Sequence, residues 1–423
     1  MHYLIEREGL DDQRSSQQRI RDENLKWVFR LLCQHHELTR TDLTRMTGLS
    51  PTTVSALVEV LLRERLAVET GYARTLVTGR KPINLRICAE GRQIPVFSLS
   101  REGLRFVLYD LRLAVLEDIF LPMDSMVYSA SGKGGPVQDY REGRDYVALM
   151  LDVLRAKSVC FDPVRSPVIC ITYPGVYIEG DERCFMPSMR ISIRRADLLR
   201  MEEELGIPIF MGKTAESMTY AERKWMEAQG LGVDKLICVS VRNTVCMSVL
   251  VNGEILTDKF FMPGDVGHIT INHRGKPCVC GNRGCLEQYV SQSAIIERVA
   301  QALSFHASDI LPVDKREITL EMIGKAYDAG ETEVVKVINE VAEQLFAGLC
   351  NIVCMTGIRR ILLGGGIERL GNGFLVQLRT LAESMRSDFK NSLSIGYGHL
   401  DESATGLGTA QYYIDKVFEA GKA

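Results

Sequence analysis

In the stretch GHITINHRGKPCVCGNRGC, His268 is followed by Cys278, Cys280 and Cys285, which places one nitrogen and three sulfurs within eighteen residues. Zinc takes such a set tetrahedrally, and four protein ligands leave no open position for a reactive water, so the metal expected here is structural. Gly281 and Gly284 permit the backbone reversal that brings Cys280 and Cys285 to one ion. Three cysteines inside eight residues of a glycine-rich loop argue against the alternative of buried free thiols. His273, inside the loop, is second choice to His268 as the nitrogen ligand.

A second constellation is suited to DNA. Ser50 and Pro51 read as the cap and first turn of a helix that presents Thr52, Thr53 and Ser55, short polar side chains able to reach base edges and phosphates in a major groove. Further on, Gly79-Arg80-Lys81-Pro82 puts two cations on a turn with a rigid exit, suited to a narrow minor groove or to phosphate. The candidate DNA contacts are therefore Ser50, Thr52, Thr53, Ser55, Arg80 and Lys81, with double-stranded DNA as partner. The competing interpretation is a three-helix module for protein contacts whose Arg-Lys turn is merely solvated.

The elements that must hold these residues can be read from periodicity. Leu25, Val28, Phe29 and Leu32 recur at i, i+3, i+4 and i+7, an amphipathic helix. A short helix follows, with Thr39 and Asp42 as a capping box and Gly48 as its stop. The third helix buries Val54, Leu57, Val58 and Leu61. After Leu66, short β-prone runs at 66–72, 76–77 and 82–87, with Gly71 and Gly79 as turns, make a wing, so residues 23–90 form a winged helix-turn-helix. Residues 1–22 lack periodicity and are assigned as a tail. Residues 89–93 are the linker to an α/β domain, with strands at 94–99, 105–111, 168–172, 236–241 and 361–363 alternating with helices at 196–205, 215–225 and 334–353.

Composition is consistent with this. The chain has 423 residues, 46% hydrophobic and 25% charged, enough for two or three domains. No run of eighteen uninterrupted apolar residues occurs, and the acidic, polar start does not resemble a signal peptide. The twelve cysteines are too scattered for a disulfide scaffold. A cytoplasmic, non-membrane protein is expected. The net charge of −3 conceals a local reversal, because residues 38–90 carry eight Arg or Lys against five acids. That sign suits a polyanion at the reader alone.

GDVGHITINHRGKPCVCGNRGCLEQYVS closely resembles the signature of the ROK family (repressors, open reading frames, kinases), E-x-G-H followed by C-x-C-G-x-x-G-C-L-E. The resemblance runs over residues 94–423, through Tyr173-Pro174-Gly175, Met186-Pro187-Ser188, Leu205-Gly206-Ile207-Pro208, Gly364-Gly365-Gly366 and Gly406-Leu407-Gly408. The reader and its Gly-Arg-Lys-Pro wing resemble the repressor branch. The resemblance implies a two-lobed actin/hexokinase-like ROK domain, with lobe one at 94–211 plus 399–423 and lobe two, carrying the zinc loop and an oligomerisation surface, at 212–398. It also implies a homodimer or homotetramer on a palindromic operator. His268, Cys278, Cys280 and Cys285 match the family's zinc ligands one for one, and Ser188, Lys213, Thr214, Asp265 and Glu287 fall at effector-site positions.

The departures from the pattern bear on activity. A sugar kinase needs a base for the hydroxyl proton and glycine turns around the nucleotide phosphates. Here the family's catalytic Asp position is Thr214, which cannot act as that base. The first two phosphate loops read Ser98-Leu99-Ser100-Arg101-Glu102 and Arg242-Asn243-Thr244-Val245-Cys246. Only Gly364-Gly365-Gly366 persists, and such a run serves packing more often than nucleotides. Asp265 replaces the sugar-binding Glu of E-x-G-H, and Asp265 and Glu287 have the alternative role of orienting the zinc loop. No catalytic residue is assigned. The expected function is a repressor of carbohydrate-related genes with a non-catalytic ROK module. The alternatives are an ATP-dependent sugar kinase bearing a DNA-binding domain and a regulator answering only to a protein partner. The effector would be a sugar or sugar derivative. Lys213 points to a sugar phosphate or acidic sugar unless it pairs with Glu216 or Asp265.

Overall fold

The computed structural model describes residues 2–3, 16–73, 81–100, 103–122, 141–142, 144–156, 162, 165–178, 182–186, 191–256, 264–304, 308–384, 393–400 and 404–417. The stretch assigned as a tail is partly structured. Strand β1 (His2–Tyr3) pairs antiparallel with Phe210 and Met211, far along the chain. Helix α1 (Ser16–Gln34) begins well before Leu25. Its first turns show no apolar period because Ile20 faces solvent, and they are helical as an extension of the half that buries Leu25, Val28, Phe29, Leu31 and Leu32.

The remainder of the reader follows from local chemistry. Strand β2 (Leu38–Thr39) leads into α2 (Arg40–Thr47), whose Thr39 side chain accepts from the Asp42 amide while Asp42 accepts from the Thr39 amide. Gly48 ends the helix at φ 68°, a left-handed conformation that costs glycine little. Helix α3 (Pro51–Arg63) follows, capped by Ser50, and strands β3 (Ala67–Tyr72) and β4 (Ile83–Ile87) close a sheet in the order β2-β4-β3. This is a winged helix-turn-helix. The expected strand at 76–77 and the Gly79-Arg80 turn lie outside the described residues.

Lobe one is built on a six-stranded sheet. Strands β5 (Gln93–Leu99), β6 (Gly103–Asp110) and β7 (Val115–Pro122) form an antiparallel meander. After the short β8 (Arg141–Glu142) and α4 (Arg144–Ala156), β9 (Ile169–Tyr173) joins parallel to β5. Strands β10 (Val176–Ile178), β11 (Arg183–Met186) and β12 (Ile191–Arg194) make a side sheet with β8. Helix α5 (Arg195–Leu205) leads to β13 (Ile209–Lys213), which completes the order β1-β13-β9-β5-β6-β7.

Strand alternation divides the apolar side chains of this sheet between two cores. Phe97, Phe106, Ile169, Ile171 and Ile209 pack with α4 and α5. Val96, Val107, Tyr109, Cys170 and Phe210 face the other way, into a cluster that also contains Leu25, Phe29, Leu57 and Leu61 of the reader. Reader and lobe one therefore share one continuous apolar interior.

Helix α6 (Thr214–Ala228) leads into lobe two. Its sheet runs β16-β15-β14-β17-β18, from β14 (Lys235–Val241), β15 (Val245–Val251), β16 (Glu254–Ile255), β17 (Arg360–Gly364) and β18 (Ser394–Tyr397). One face carries α7 (Glu287–Val290), α8 (Gln292–Ala302), α9 (Leu320–Asp328), α10 (Thr332–Thr356) and α11 (Gly371–Glu383). Among the described residues, α10 has the length and apolarity to cross a membrane. Its Val334, Ile338, Val341, Leu345, Leu349 and Ile352 are buried in the lobe-two core, which accounts for that apolarity.

The chain returns through α12 (Ala404–Tyr412) and a π-turn at Tyr413–Val417. Helices α6 and α12 cross closely, and glycine makes the approach practicable. A Cβ on Gly408 would lie 1.8 Å from the Ser217 carbonyl oxygen, so any larger residue would push the helices apart. Thr409 ties the crossing to lobe one, with its hydroxyl 2.5 Å from Ser217 Oγ and 2.9 Å from Thr172 Oγ1.

Candidate functional site

On the reader, α3 turns Pro51, Thr52, Thr53, Ala56 and Glu59 outward while Val54, Leu57, Val58 and Leu61 fix it from beneath. The four polar residues expected to read DNA divide here. Thr52 and Thr53 are presented to solvent, Ser55 is half-buried, and Ser50 is engaged as the cap, accepting from the Thr53 amide at 3.1 Å. Arg40, which sequence reasoning did not single out, bridges Glu59 on α3 (3.2 Å) and Glu69 on the wing strand β3 (2.9 Å). This brace positions helix and wing relative to one another. Periodicity gives no sign of it, because the three residues are distant in sequence. Lys81 is exposed at the start of the returning wing, and Arg80 lies outside the described residues.

The histidine–cysteine cluster forms on a loop that runs from a short 3₁₀ turn (Val266–His268) to α7. One ligand atom from each of His268, Cys278, Cys280 and Cys285 lies within 4.8 Å of the others. His268 Nδ1 is 3.5 Å from Cys278 Sγ, and Cys280 Sγ is 3.6 Å from Cys285 Sγ. Zinc–sulfur bonds of about 2.3 Å require tetrahedral edges of roughly 3.8 Å, so the donor set fits zinc in number, type and spacing. His273 is exposed and outside the cluster, which resolves the choice in favour of His268. The loop closes because Gly284 sits at φ 71° with its Cα against Asn272, where a Cβ would lie 1.6 Å from the Asn272 carbonyl oxygen.

Burial pushes the Cys278 thiol up, but hydrogen bonds from His268 and from the Cys280 amide and the two neighbouring thiols bring it down to about 6. Cys285 moves the other way, raised by burial and then by the Cys280 and Cys278 thiols. Such a set favours binding a dication, which relieves the crowding of thiolate charge. Gln288 Nε2 donates to Cys278 Sγ at 3.5 Å, supporting the ligand from behind.

Beside the loop, between the lobes, lies a cleft of two adjoining cavities. One is lined by Tyr173, Lys213, Thr214, Glu216, Met247 and Asp265, and the other by Ser98, Ser100, Ser240, Arg242, Asn243 and Thr405; Pro174, Thr214, Thr244 and Cys246 belong to both. Lys213, Thr214 and Asp265 are thus brought together as expected. Glu287 lines neither cavity. It is 7% exposed, and its Oε2 accepts from the Val245 amide at 2.9 Å, behind the cleft wall. Burial raises its carboxyl, the Val245 amide and His268 lower it, and Asp265 raises it again. Ser188 lies outside the described residues.

Lys213 Nζ stands 4.0 Å from Glu216 Oε1. The Asp265 carboxyl is raised by burial and pulled back by His268 and then Lys213. Lys213 is therefore paired with Glu216, the alternative to a free cation awaiting an anion, and Asp265 lines the same cavity.

The phosphate side of the cleft is open but lined by side chains where a kinase has bare glycine turns. The Arg242 amide donates to the Thr244 carbonyl at 3.1 Å, which closes a side-chain-bearing turn. A Cβ on Gly365, at φ 84°, would lie 2.5 Å from Ser240 Oγ, 2.9 Å from Val241 N and 3.1 Å from Arg242 Cγ. The surviving glycine run is thus explained by packing. Thr214, at the position of the kinase base, is 8% exposed at the start of α6. Cys246 is no substitute nucleophile, since burial and then Asp265 and Glu287 push its thiol up to about 12.

The ROK family model matches residues 165–415 of the chain. The chain belongs to the ROK family. Among its relatives, the xylose repressor of Caldicellulosiruptor bescii is 25% identical over 389 residues, covering 90% of this chain and 92% of the relative. The xylose repressor of Bacillus subtilis is 22% identical over 400 residues (94% and 96%), and the N-acetylglucosamine repressor of Escherichia coli 23% over 391 residues (90% and 90%). The crystal structure of a ROK family transcriptional regulator, a homolog of the E. coli MLC protein, superposes with a TM-score of 0.74 at 24% identity, covering 94% of this chain and 97% of that one. A ROK family glucokinase from Streptomyces griseus, in complex with glucose and AMPPNP, reaches 0.60 at 19% identity, with 75% of this chain and 98% of its own. The ROK fold extends across both regulator and kinase, and the regulator match spans almost the whole of this chain.

Proposed function

We propose that this ROK-family chain is a DNA-binding transcriptional regulator, a repressor of carbohydrate-related genes, whose ROK domain is a non-catalytic effector and oligomerisation module. One observation carries the reading: a capped, outward-facing reading helix is built into the same apolar interior as lobe one, so DNA binding and the state of the ROK domain are physically joined. The kinase alternative has no base at Thr214 and no glycine-rich phosphate turn at Arg242–Cys246. Repressors of xylose and N-acetylglucosamine among the relatives favour a sugar-linked operon.

His268, Cys278, Cys280 and Cys285 would hold one structural zinc, whose chemistry is to lock the loop next to the cleft. The effector we expect is a neutral sugar or derivative. The set Glu216, Lys213 and Asp265 offers hydroxyls both acceptors and a donor, whereas a phosphate would meet two carboxylates. A homodimer or homotetramer would read a palindromic operator through Thr52, Thr53 and the wing residues Arg80 and Lys81.

The experiment is selection from a random duplex library by the purified chain. Two-fold-related half-sites are expected, with binding lost in the Thr52→Ala/Thr53→Ala double variant and weakened by a neutral sugar from a panel of neutral, acidic and phosphorylated sugars. Enrichment of no sequence would refute the reading.

A further inference from the structure

The turn at Tyr413–Val417 lies where three parts of the molecule meet. Asp415 is 5% exposed. Its carboxylate accepts from the Tyr220 hydroxyl at 2.9 Å and pairs with Lys224 Nζ at 2.8 Å, both on α6. A carboxylate withdrawn from water stays charged only with such partners, so the turn is fastened to α6 at a defined point.

On its reader side, Tyr413 and Ile414 pack into the cluster that holds Leu25, Val28, Phe29 and Leu32 of α1, with Cys33 against it. The Cys33 thiol is pushed up by burial and next by the Asp415 carboxylate, with Arg112 acting in the opposite sense. Lobe one enters through Phe210, whose ring stacks on Tyr412 and meets Tyr413 edge-on at centroid distances of 6.1 and 5.7 Å. Lobe two enters through Lys416, 2.8 Å from Glu254.

Helix α6 is the other half of the arrangement. Its first residues, Thr214 and Glu216, line the cleft, and Tyr220 and Lys224 follow on the same helix about 9 and 15 Å further along its axis. A packed helix moves as a unit, so a displacement at its cleft end arrives at Asp415.

We propose that Asp415 is a positioning residue: by pinning the C-terminal turn to α6, it makes that turn the link through which the state of the cleft sets the seating of the DNA reader. The proposal rests on the cleft being the effector site, but its test requires no effector.

The readout is Cys33, which sits at the seam. In the whole chain, iodoacetamide alkylation of each cysteine is followed by peptide mass, with Cys184, buried in the core under α4 and α5, as the internal control. Asp415→Ala is expected to raise the Cys33 rate at least tenfold with the control unchanged. Asp415→Asn, which can still accept from Tyr220, should fall between Asp415→Ala and the parent protein. If Asp415→Ala does not fold, Tyr220→Phe and Lys224→Met each remove one partner and should each raise the rate about threefold.

The link to the cleft is read by Glu216→Gln, which removes the charge facing Lys213. It should change the Cys33 rate threefold or more in the parent protein and leave it unchanged in the Asp415→Ala background, because sites without coupling combine additively. Additive effects, an unchanged Cys33 rate, or a parallel rise at Cys184 would each overturn the proposal. Failure of every sugar to bind the cleft, with the Glu216–Asp415 coupling intact, would remove the effector reading and leave the mechanical link standing.

Discussion

The two sides of the cleft have been treated differently. On the metal side, His268, Cys278, Cys280 and Cys285 converge with spacings that suit one ion, and the glycine at 284 is indispensable to the loop. On the phosphate side, side chains occupy positions where a kinase needs bare backbone, and the remaining glycine at 365 is closed over by Ser240, Val241 and Arg242. One side therefore preserves architecture while the other has given up chemistry. A ROK domain can serve as a mould that holds a ligand and a partner domain without retaining the means to transfer a phosphoryl group.

The largest effect that could break this comparison concerns the metal side. Cys280→Ser should reduce zinc from about one per chain to none and destabilise lobe two by several kcal/mol, on the order of 3, since binding a structural metal is coupled to folding. Elemental analysis and thermal unfolding measure both quantities. Sugar-induced stabilisation should vanish while non-specific DNA binding stays within about threefold. Zinc-free protein with an intact sugar response would mean that the loop does not support the cleft.

The phosphate side can be tested by attempted repair. A positioned base contributes roughly 10²–10⁴-fold to phosphoryl transfer, yet Thr214→Asp alone should yield no detectable sugar phosphate with ATP and magnesium, because the turns at Ser98–Ser100 and Arg242–Cys246 still lack the glycine backbone that would hold the phosphates. Turnover from that single substitution would show the phosphate side to be dormant rather than lost.

Smaller effects belong to the reader. Arg80→Ala/Lys81→Ala should flatten the slope of log K against log salt by up to about two units, measured by fluorescence anisotropy on the operator. Thr53→Ala should cost about 1–2 kcal/mol of base discrimination, with a slope close to the parent's. Interchange of these two signatures would reverse the roles of helix and wing.

How much of this is legible in the sequence follows from the range of the interactions. The capping box of Thr39 and Asp42, the Ser50 cap, the Gly48 stop and the Cys₃His spacing are local, and all appear in the structure where the sequence implies them. Glu287 stands two residues from a cluster cysteine in sequence, yet its carboxylate accepts from the Val245 amide at the start of β15, a tertiary fact. Lys213 and Glu216 are one helical turn apart, so their pairing follows from local spacing, whereas the nearness of Asp265, more than fifty residues on, follows from the family pattern alone. The pairing of His2 and Tyr3 with β13, the Arg40 brace and the Asp415 junction join residues 19 to more than 200 positions apart. No periodicity in a single sequence encodes such contacts.

The most direct test combines both halves of the account in one preparation. The purified chain is incubated with its selected operator duplex, ATP, magnesium and a panel of sugars, and bound duplex and sugar phosphate are quantified together. The account predicts sequence-specific binding that one sugar relieves, with no sugar phosphate formed above the protein-free control. Steady accumulation of sugar phosphate, with duplex binding indifferent to both sequence and sugar, would contradict it.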